Sequence, residues 1–270
     1  MAIPKIIHYC WLGGNPKPES VIKCIESWKK FCPDYTIIEW NEENLDLQTN
    51  AYTREAYNAK AWGFVPDFLR LKIIFENGGI YLDTDVQVIK SFDKLLDFEA
   101  FAGFEDDEHI ALGLGFGAEK NSIFLNKHMK IYENLHFLND DGTFNRTPSP
   151  QYTTVLLKKY GLEPCNGRIQ KVLGVTLFPK EYFCPKSFET GITKVTKNTI
   201  SIHQFDASWY TPEEQAQRNA WERAAKIDYY SHTPNRIVKW ILGDKMYEKV
   251  KKNFFNQTGE KASQLLLLPD

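Results

Sequence analysis

Residues 67–86, DFLRLKIIFENGGIYLDTDV, constrain the fold more than any other stretch of the chain. They read as one helix, one hard stop and one short strand ending in two carboxylates. Pro66 suits the first turn of a helix, where its missing N–H costs nothing. Leu69, Ile73 and Ile74 fall at helical spacing and give the helix an apolar face. Asn77-Gly78-Gly79 ends it, because glycine takes the left-handed conformation that a helix C-terminus needs. Ile80-Tyr81-Leu82 then reads as a short buried strand. Asp83 and Asp85 follow, two residues apart. In an extended chain both would project to the same side.

Two carboxylates at the end of a buried strand repel each other, and desolvation makes the repulsion worse. A bound divalent cation offsets both effects. Oxygen ligands suit hard ions such as Mg²⁺ or Mn²⁺, and such an ion could also hold the diphosphate of a nucleotide. The competing reading is a solvated turn after a strand. The apolar strand and the glycine pair ahead of the carboxylates favour the metal-binding reading.

The 270 residues allow one large domain, or one domain with a smaller lobe. A net charge of −2 gives no reason to expect nucleic acid as a partner. Five cysteines (Cys10, Cys24, Cys32, Cys165, Cys184), without a C-x-x-C, argue for reduced thiols, a cytoplasmic setting and no zinc cluster. The apolar run in MAIPKIIHYCWLGG is too short for a signal peptide. No stretch approaches the roughly 20 apolar residues of a membrane-spanning helix.

In chain order, Ile3 to Leu12 reads as a first strand closed by Gly13-Gly14, with Trp11 near its C-terminal end. Open α/β sheets bind ligands at that end. Trp11 reads equally as a core residue. An amphipathic helix is predicted over Glu19 to Lys30, a strand over Tyr35 to Trp40, and a helix over Leu45 to Lys60. Two βα units in the first 40 residues predict a parallel sheet. VQVIKSF after Asp85 reads as a continuation strand, and Ala100 to Phe104 as another. The acidic run Glu105 to His109 reads as a solvated loop, or else as a second metal site. In Ile110 to Ala118, apolar residues alternate with glycines that would let something approach the backbone, plausibly a sugar. Helices are predicted over Asn121 to Leu138 and Tyr152 to Tyr160, and a strand leading to His203 within Lys197 to Phe205. A charged helix spans 213–230. Arg236 to Phe255 reads as a basic amphipathic helix, either docked on the core or lying on an anionic bilayer.

Assembled, four blocks resemble a glycosyltransferase family: IPKIIHYCWLGG, DFLRLKIIFENGGIYLDTDV, LFPKEYFCP and SIHQFDASWY. It is the DXD-containing sugar-binding-region family of capsular and surface-polysaccharide transferases. Fungal initiating mannosyltransferases and clostridial glucosylating toxins are relatives. The resemblance covers roughly residues 1–210. It implies an α/β fold of GT-A type, a Rossmann-like domain binding a nucleotide-diphosphate sugar with Mn²⁺ or Mg²⁺. Residues 211–260 would be a C-terminal helical extension, and 261–270 a loose tail.

The resemblance also implies roles. Trp11 would stack on the base, and Tyr9 to Leu12 would offer backbone contacts. Asp67 and Arg70 would contact ribose or donor sugar, with Tyr81 near the donor. Asp83 would bind hydroxyls and help place the metal, and Asp85 would be the direct ligand. His203 resembles the late metal ligand of this fold type; it reads alternatively as an ordinary strand residue, with Asp206 or Ser208 completing the shell. Ser208 and Trp209 would hold the diphosphate.

The implied reaction retains anomeric configuration, with a UDP-sugar favoured as donor. A glycan or lipid-linked saccharide would be the acceptor, and the enzyme would be cytoplasmic or peripheral on the inner face of the membrane. Two rivals use the same residues. A haloacid-dehalogenase-like phosphatase would make Asp83 a nucleophile and Asp85 a general acid. A non-catalytic sugar-binding protein would bind donor or glycan and release no nucleotide.

Overall fold

The computed structural model describes residues 2–207 and 210–232, together with Gly243, Met246 and Lys249. The basic helix expected at 236–255, the tail at 261–270, and Ser208 and Trp209 lie outside the described residues. Among the described residues no helix is long and apolar enough to cross a membrane.

The chain divides into two compact units, Met1–Lys186 with Thr193–Trp209, and Ser187–Ile192 with Tyr210–Asp270. The first is built on one mixed sheet. Strands β1 (Ile6–Cys10), β2 (Thr36–Trp40) and β3 (Gly79–Tyr81) form one parallel part, with β1 in the middle. Beyond β3 the order continues β7 (Phe116–Ala118), β5 (Ala100–Phe104), β9 (Val175–Phe178) and β8 (Gln170–Val172), and β6 (Ile110–Ala111) pairs with β5. The sheet is not the all-parallel one expected: β7 runs antiparallel to both β3 and β5, and β8 antiparallel to β9. The two leading βα units set only the first three strands.

The continuation strand is also corrected. Val86 to Val88 forms β4, which leaves the main sheet and pairs antiparallel with β10 (Ser201–His203). A turn causes the departure, closed by the Val86 N–H donating to the Asp83 carbonyl at 3.1 Å.

Helices cover both faces of the main sheet. On one face α1 (Glu19–Phe31) packs with β4 and the inward residues Ile7, Tyr9, Ile80 and Leu82. On the other lie α2 (Ala51–Asn58), α3 (Pro66–Asn77), α4 (Ile123–Tyr132) and α5 (Ser149–Lys158), against Cys10, Tyr81 and Phe116. The period-two alternation of β1 and β3 thus serves two cores. Helix α2 starts later than Leu45, because the Asn50 side chain caps it by accepting from the Thr53 N–H at 2.9 Å. Helix α3 has Pro66 in its first turn and stops at Gly78, whose φ is +68°.

In the second unit, α6 (Pro212–Ser231) starts with a capping box, Thr211 and Glu214 bonding each other's backbone. The rings of Phe188 and Trp221 pack at 6.0 Å.

Trp28 of α1 ties this helix to the strand that carries the D-x-D turn onward. It is fully buried, and its Nε1–H donates to the Val86 carbonyl at 2.7 Å. Trp28→Ala removes that bond and opens a cavity. We expect urea unfolding to report a loss of about 3–5 kcal/mol.

Candidate functional site

The site forms at the edge where the parallel strands end. Helix α3 supplies Asp67 in its first turn and Arg70 one turn on. Each is only 5% exposed. Arg70 lies between two carboxylates: its Nη2 is 3.0 Å from Asp67 Oδ1, and its Nη1 is 3.5 Å from Asp83 Oδ2. Its Nε–H donates to the Pro66 carbonyl at 3.2 Å, and the guanidinium lies 5.4 Å from the centre of the Tyr81 ring. Burial opposes the Arg70 charge, but Asp83 and Asp67 outweigh it and hold the guanidinium firmly protonated. Burial pushes the Asp67 carboxyl up to about 6 despite Arg70. Tyr52, fully buried, donates to Asp67 Oδ2 at 3.4 Å, and Ser149 also helps to hold this carboxylate.

Asp83 and Asp85 do not project together from an extended chain. The turn at Asp83–Val86 gives each its own basic partner. Asp83 faces Arg70, and its own N–H donates to the Gly113 carbonyl at 3.2 Å. Burial raises the Asp83 carboxyl above its usual range, against Arg70. Asp85 Oδ1 is 3.1 Å from His203 Nε2, and Asp85 Oδ2 accepts the Asp206 N–H at 3.0 Å. Burial would raise Asp85, yet His203 and the Asp206 amide outweigh it and keep the carboxyl below its usual value. His203 is raised in turn: burial lowers it, while Asp85, Asp83 and Glu105 together prevail. Its Nδ1 is buried with no partner among the described residues.

Gly113 explains part of the glycine pattern in 110–118. A Cβ there would sit 2.1 Å from Asp83 Oδ2 and 3.1 Å from Arg70 Nη1. The group that approaches the backbone is Asp83 itself.

The other expected residues fall as follows. Trp11 is half-buried at the end of β1, where its Nε1–H donates to the Asn15 carbonyl at 2.7 Å and Lys17 Nζ lies 5.7 Å from its ring centre. The Gly13-Gly14 turn beside it has φ of +87° and +66°. Tyr9 is buried, its hydroxyl donating to Glu39 and its ring edge-on to Trp28 at 5.4 Å. Tyr81 is 1% exposed, beneath Arg70. The acidic run is an ordered loop: Asp106 Oδ1 accepts from the N–H groups of Glu108 and His109, and Asp107 pairs with Lys180 at 2.8 Å.

Among the described residues, no group of three or more His, Cys, Asp or Glu side chains is arranged to hold a metal ion. Asp83 and Asp85 still fit a hard divalent cation in donor chemistry, as aspartates of one turn with Asp85 held anionic. His203 is turned onto Asp85. Sequence reasoning passes over Tyr52 and reads Gly113 and Glu105 only within the glycine-rich segment and the acidic run. For Gly113 and Glu105 the available signal was position: one lies in the glycine-rich segment, the other directly after a strand.

Residues 18–102, which contain α3, the D-x-D turn and β5, match the family described as the glycosyltransferase sugar-binding region containing a DXD motif. The chain is similar to inositol phosphoceramide mannosyltransferase 3 of Schizosaccharomyces pombe, at 33% identity over 37% of this chain and 29% of that protein. A mannosyl phosphorylinositol ceramide synthase of Saccharomyces cerevisiae is 26% identical over 58% of this chain and 43% of its own length. The chain thus spans less than half the length of either relative. The solved PaToxG glycosyltransferase aligns with 58% of this chain and 70% of its own, at 18% identity and a TM-score of 0.45.

The DXD region carries a pH signature in Asp67. A carboxyl whose folded pKa lies above its unfolded value favours the fold while protonated, and that contribution is lost as pH rises. Relative to Asp67→Asn, wild-type stability should fall between about pH 4 and pH 6 and level off above. The change should be no more than about 3 kcal/mol, read by urea unfolding across that range.

Proposed function

We propose that this chain is a metal-dependent, retaining glycosyltransferase of GT-A type, with residues 1–210 as its catalytic part. It moves a sugar from a nucleotide-diphosphate sugar to a glycan or lipid-linked saccharide of a cell surface. The observation that carries this reading is the pair of D-x-D carboxylates at the end of β3, one held by Arg70 and the other by His203, inside the DXD region.

The chemistry follows from where charge changes. Breaking the sugar–phosphate bond leaves negative charge on the diphosphate. Mn²⁺ or Mg²⁺, held by Asp83 and Asp85, would neutralise that charge. This chain's own residues do the rest. Trp11 offers a ring face to the base, with Lys17 beside it. The buried Arg70 holds Asp83, whose carboxylate stays partly open, in a fixed position toward donor hydroxyls. His203 and the Asp206 amide keep Asp85 anionic and oriented. Retention then follows from acceptor attack on the face that the diphosphate leaves, with the departing phosphate oxygen taking the acceptor proton.

The Trp11 block favours UDP. The two fungal relatives carry mannosyl in their names, so mannose belongs among the candidate sugars. Membrane approach of the acceptor would use the basic segment 236–255.

The test is nucleotide release from UDP- and GDP-sugars, with Mn²⁺ or EDTA, for wild type and Asp85→Ala. One donor should be hydrolysed only with metal, and the variant should lose roughly 100-fold or more. Binding without release would instead indicate a sugar-binding protein, and no binding would refute the donor site. Gly113→Ala should also lower that release at least tenfold, since its Cβ displaces Asp83.

A further inference from the structure

Glu105 stands where a third contact of the donor site is needed. Strand β1 is parallel to β3, and β7 runs antiparallel to both β3 and β5. The C-terminal ends of β1, β3 and β5 therefore share one edge of the sheet. Ile80 pairs with Ile7 on one side and, through Gly117, with Phe101 on the other. Beyond Phe101, β5 pairs with β6 instead of β7, Gly103 with Ala111 and Phe104 with Ile110, and Glu105 follows at the same edge. In strand order the edge carries Trp11 after β1, the aspartates after β3 and Glu105 after β5.

Glu105 is fixed at this edge by its backbone. Its N–H donates to the His109 carbonyl at 2.9 Å and closes the loop that Asp106 caps from within. It is half-buried, unlike the exposed Asp106, Asp107 and Glu108 that follow it. Its carboxylate is in electrostatic range of His203 and Asp83, without a hydrogen bond among the described residues, and burial raises its pKa. A half-buried carboxylate beside the D-x-D, without a side-chain hydrogen bond among the described residues, is placed to accept from a ligand.

We propose that Glu105 is a sugar-contacting residue of this site, its carboxylate accepting hydrogen bonds from hydroxyls of the donor's sugar. This rests on the reading of the site as a nucleotide-sugar site. If the base lies at Trp11 and the diphosphate at Asp83 and Asp85, the next group along the edge is the sugar. Carboxylate acceptors suit vicinal hydroxyls, which donate in pairs.

The experiment compares wild type, Glu105→Gln and Glu105→Ala by calorimetric titration with UDP and GDP in Mn²⁺, and with the nucleotide-sugar the wild type hydrolyses. Thermal unfolding confirms that each variant is folded, and Glu105→Gln, nearly isosteric, keeps the comparison available if Glu105→Ala unfolds. Both variants should bind the nucleoside diphosphate within about twofold of wild type and lose tenfold or more in affinity for the nucleotide-sugar, about 1.4 kcal/mol. Equal losses for both ligands, or no loss for either, would overturn the assignment of Glu105 while leaving the donor site standing. Failure of the wild type to bind any of these ligands would overturn the donor site itself, and the assignment with it.

Discussion

The clamp of Arg70 between Asp67 and Asp83 is the interaction on which the rest of this site depends. A guanidinium that is 5% exposed needs compensating charge close by. The compensation comes from two places in the sequence, one in the same helix turn and one after the next strand. The pair fixes how α3 sits over the end of β3. Such buried pairs add little net stability, because desolvation offsets much of the attraction. Here the clamp specifies geometry: α3 cannot rotate or slide without leaving a buried charge unmatched. Tyr52 from α2 and Gly113 from the loop after β6 both serve it, one by donating to Asp67 and the other by having no side chain.

A second buried polar group plays a similar part on the adjoining strands. His8 is fully buried in β1. Trp40 Nε1–H donates to its Nδ1 at 3.0 Å, which leaves the proton on Nε2 to be donated to the Gly78 carbonyl at 3.0 Å. Burial lowers His8 to about 4, so the ring stays neutral and keeps this tautomer. One imidazole thereby links β2, β1 and the glycine turn that launches β3. Gly79 must lack a side chain for this contact, since a Cβ there would meet His8 Nε2 at 2.9 Å.

The sequence made the local parts of this arrangement legible. Pro66, the apolar face of α3 and the Gly78 stop are short-range signals, and all three are observed. The α/β class and the carboxylates after a buried strand were equally readable. The extended path drawn through Asp83 and Asp85 was not correct, because alternation holds only while a strand keeps its ladder. Here a turn hands the chain to a different partner, β10, more than 100 residues on. The roles of Gly113 and Tyr52 stayed hidden for a related reason. They come from tertiary contacts, Tyr52 on α2 reaching Asp67 of α3 and Gly113 passing beside Asp83, and no local pattern encodes those contacts.

The pairing of Asp85 with His203 and the Asp206 amide joins residues as much as 121 positions apart. A ribosome makes the D-x-D turn early and its partners late. For the whole interval the nascent chain holds an aspartate whose neutralising imidazole has not yet been synthesised. The Arg70 clamp has its polar partners in that time, since the last of them is Ser149. The half of the site around Asp85 does not, so competence arrives in two stages with the second near the end of the first unit. Vectorial synthesis therefore separates the appearance of the fold from the completion of its charged edge.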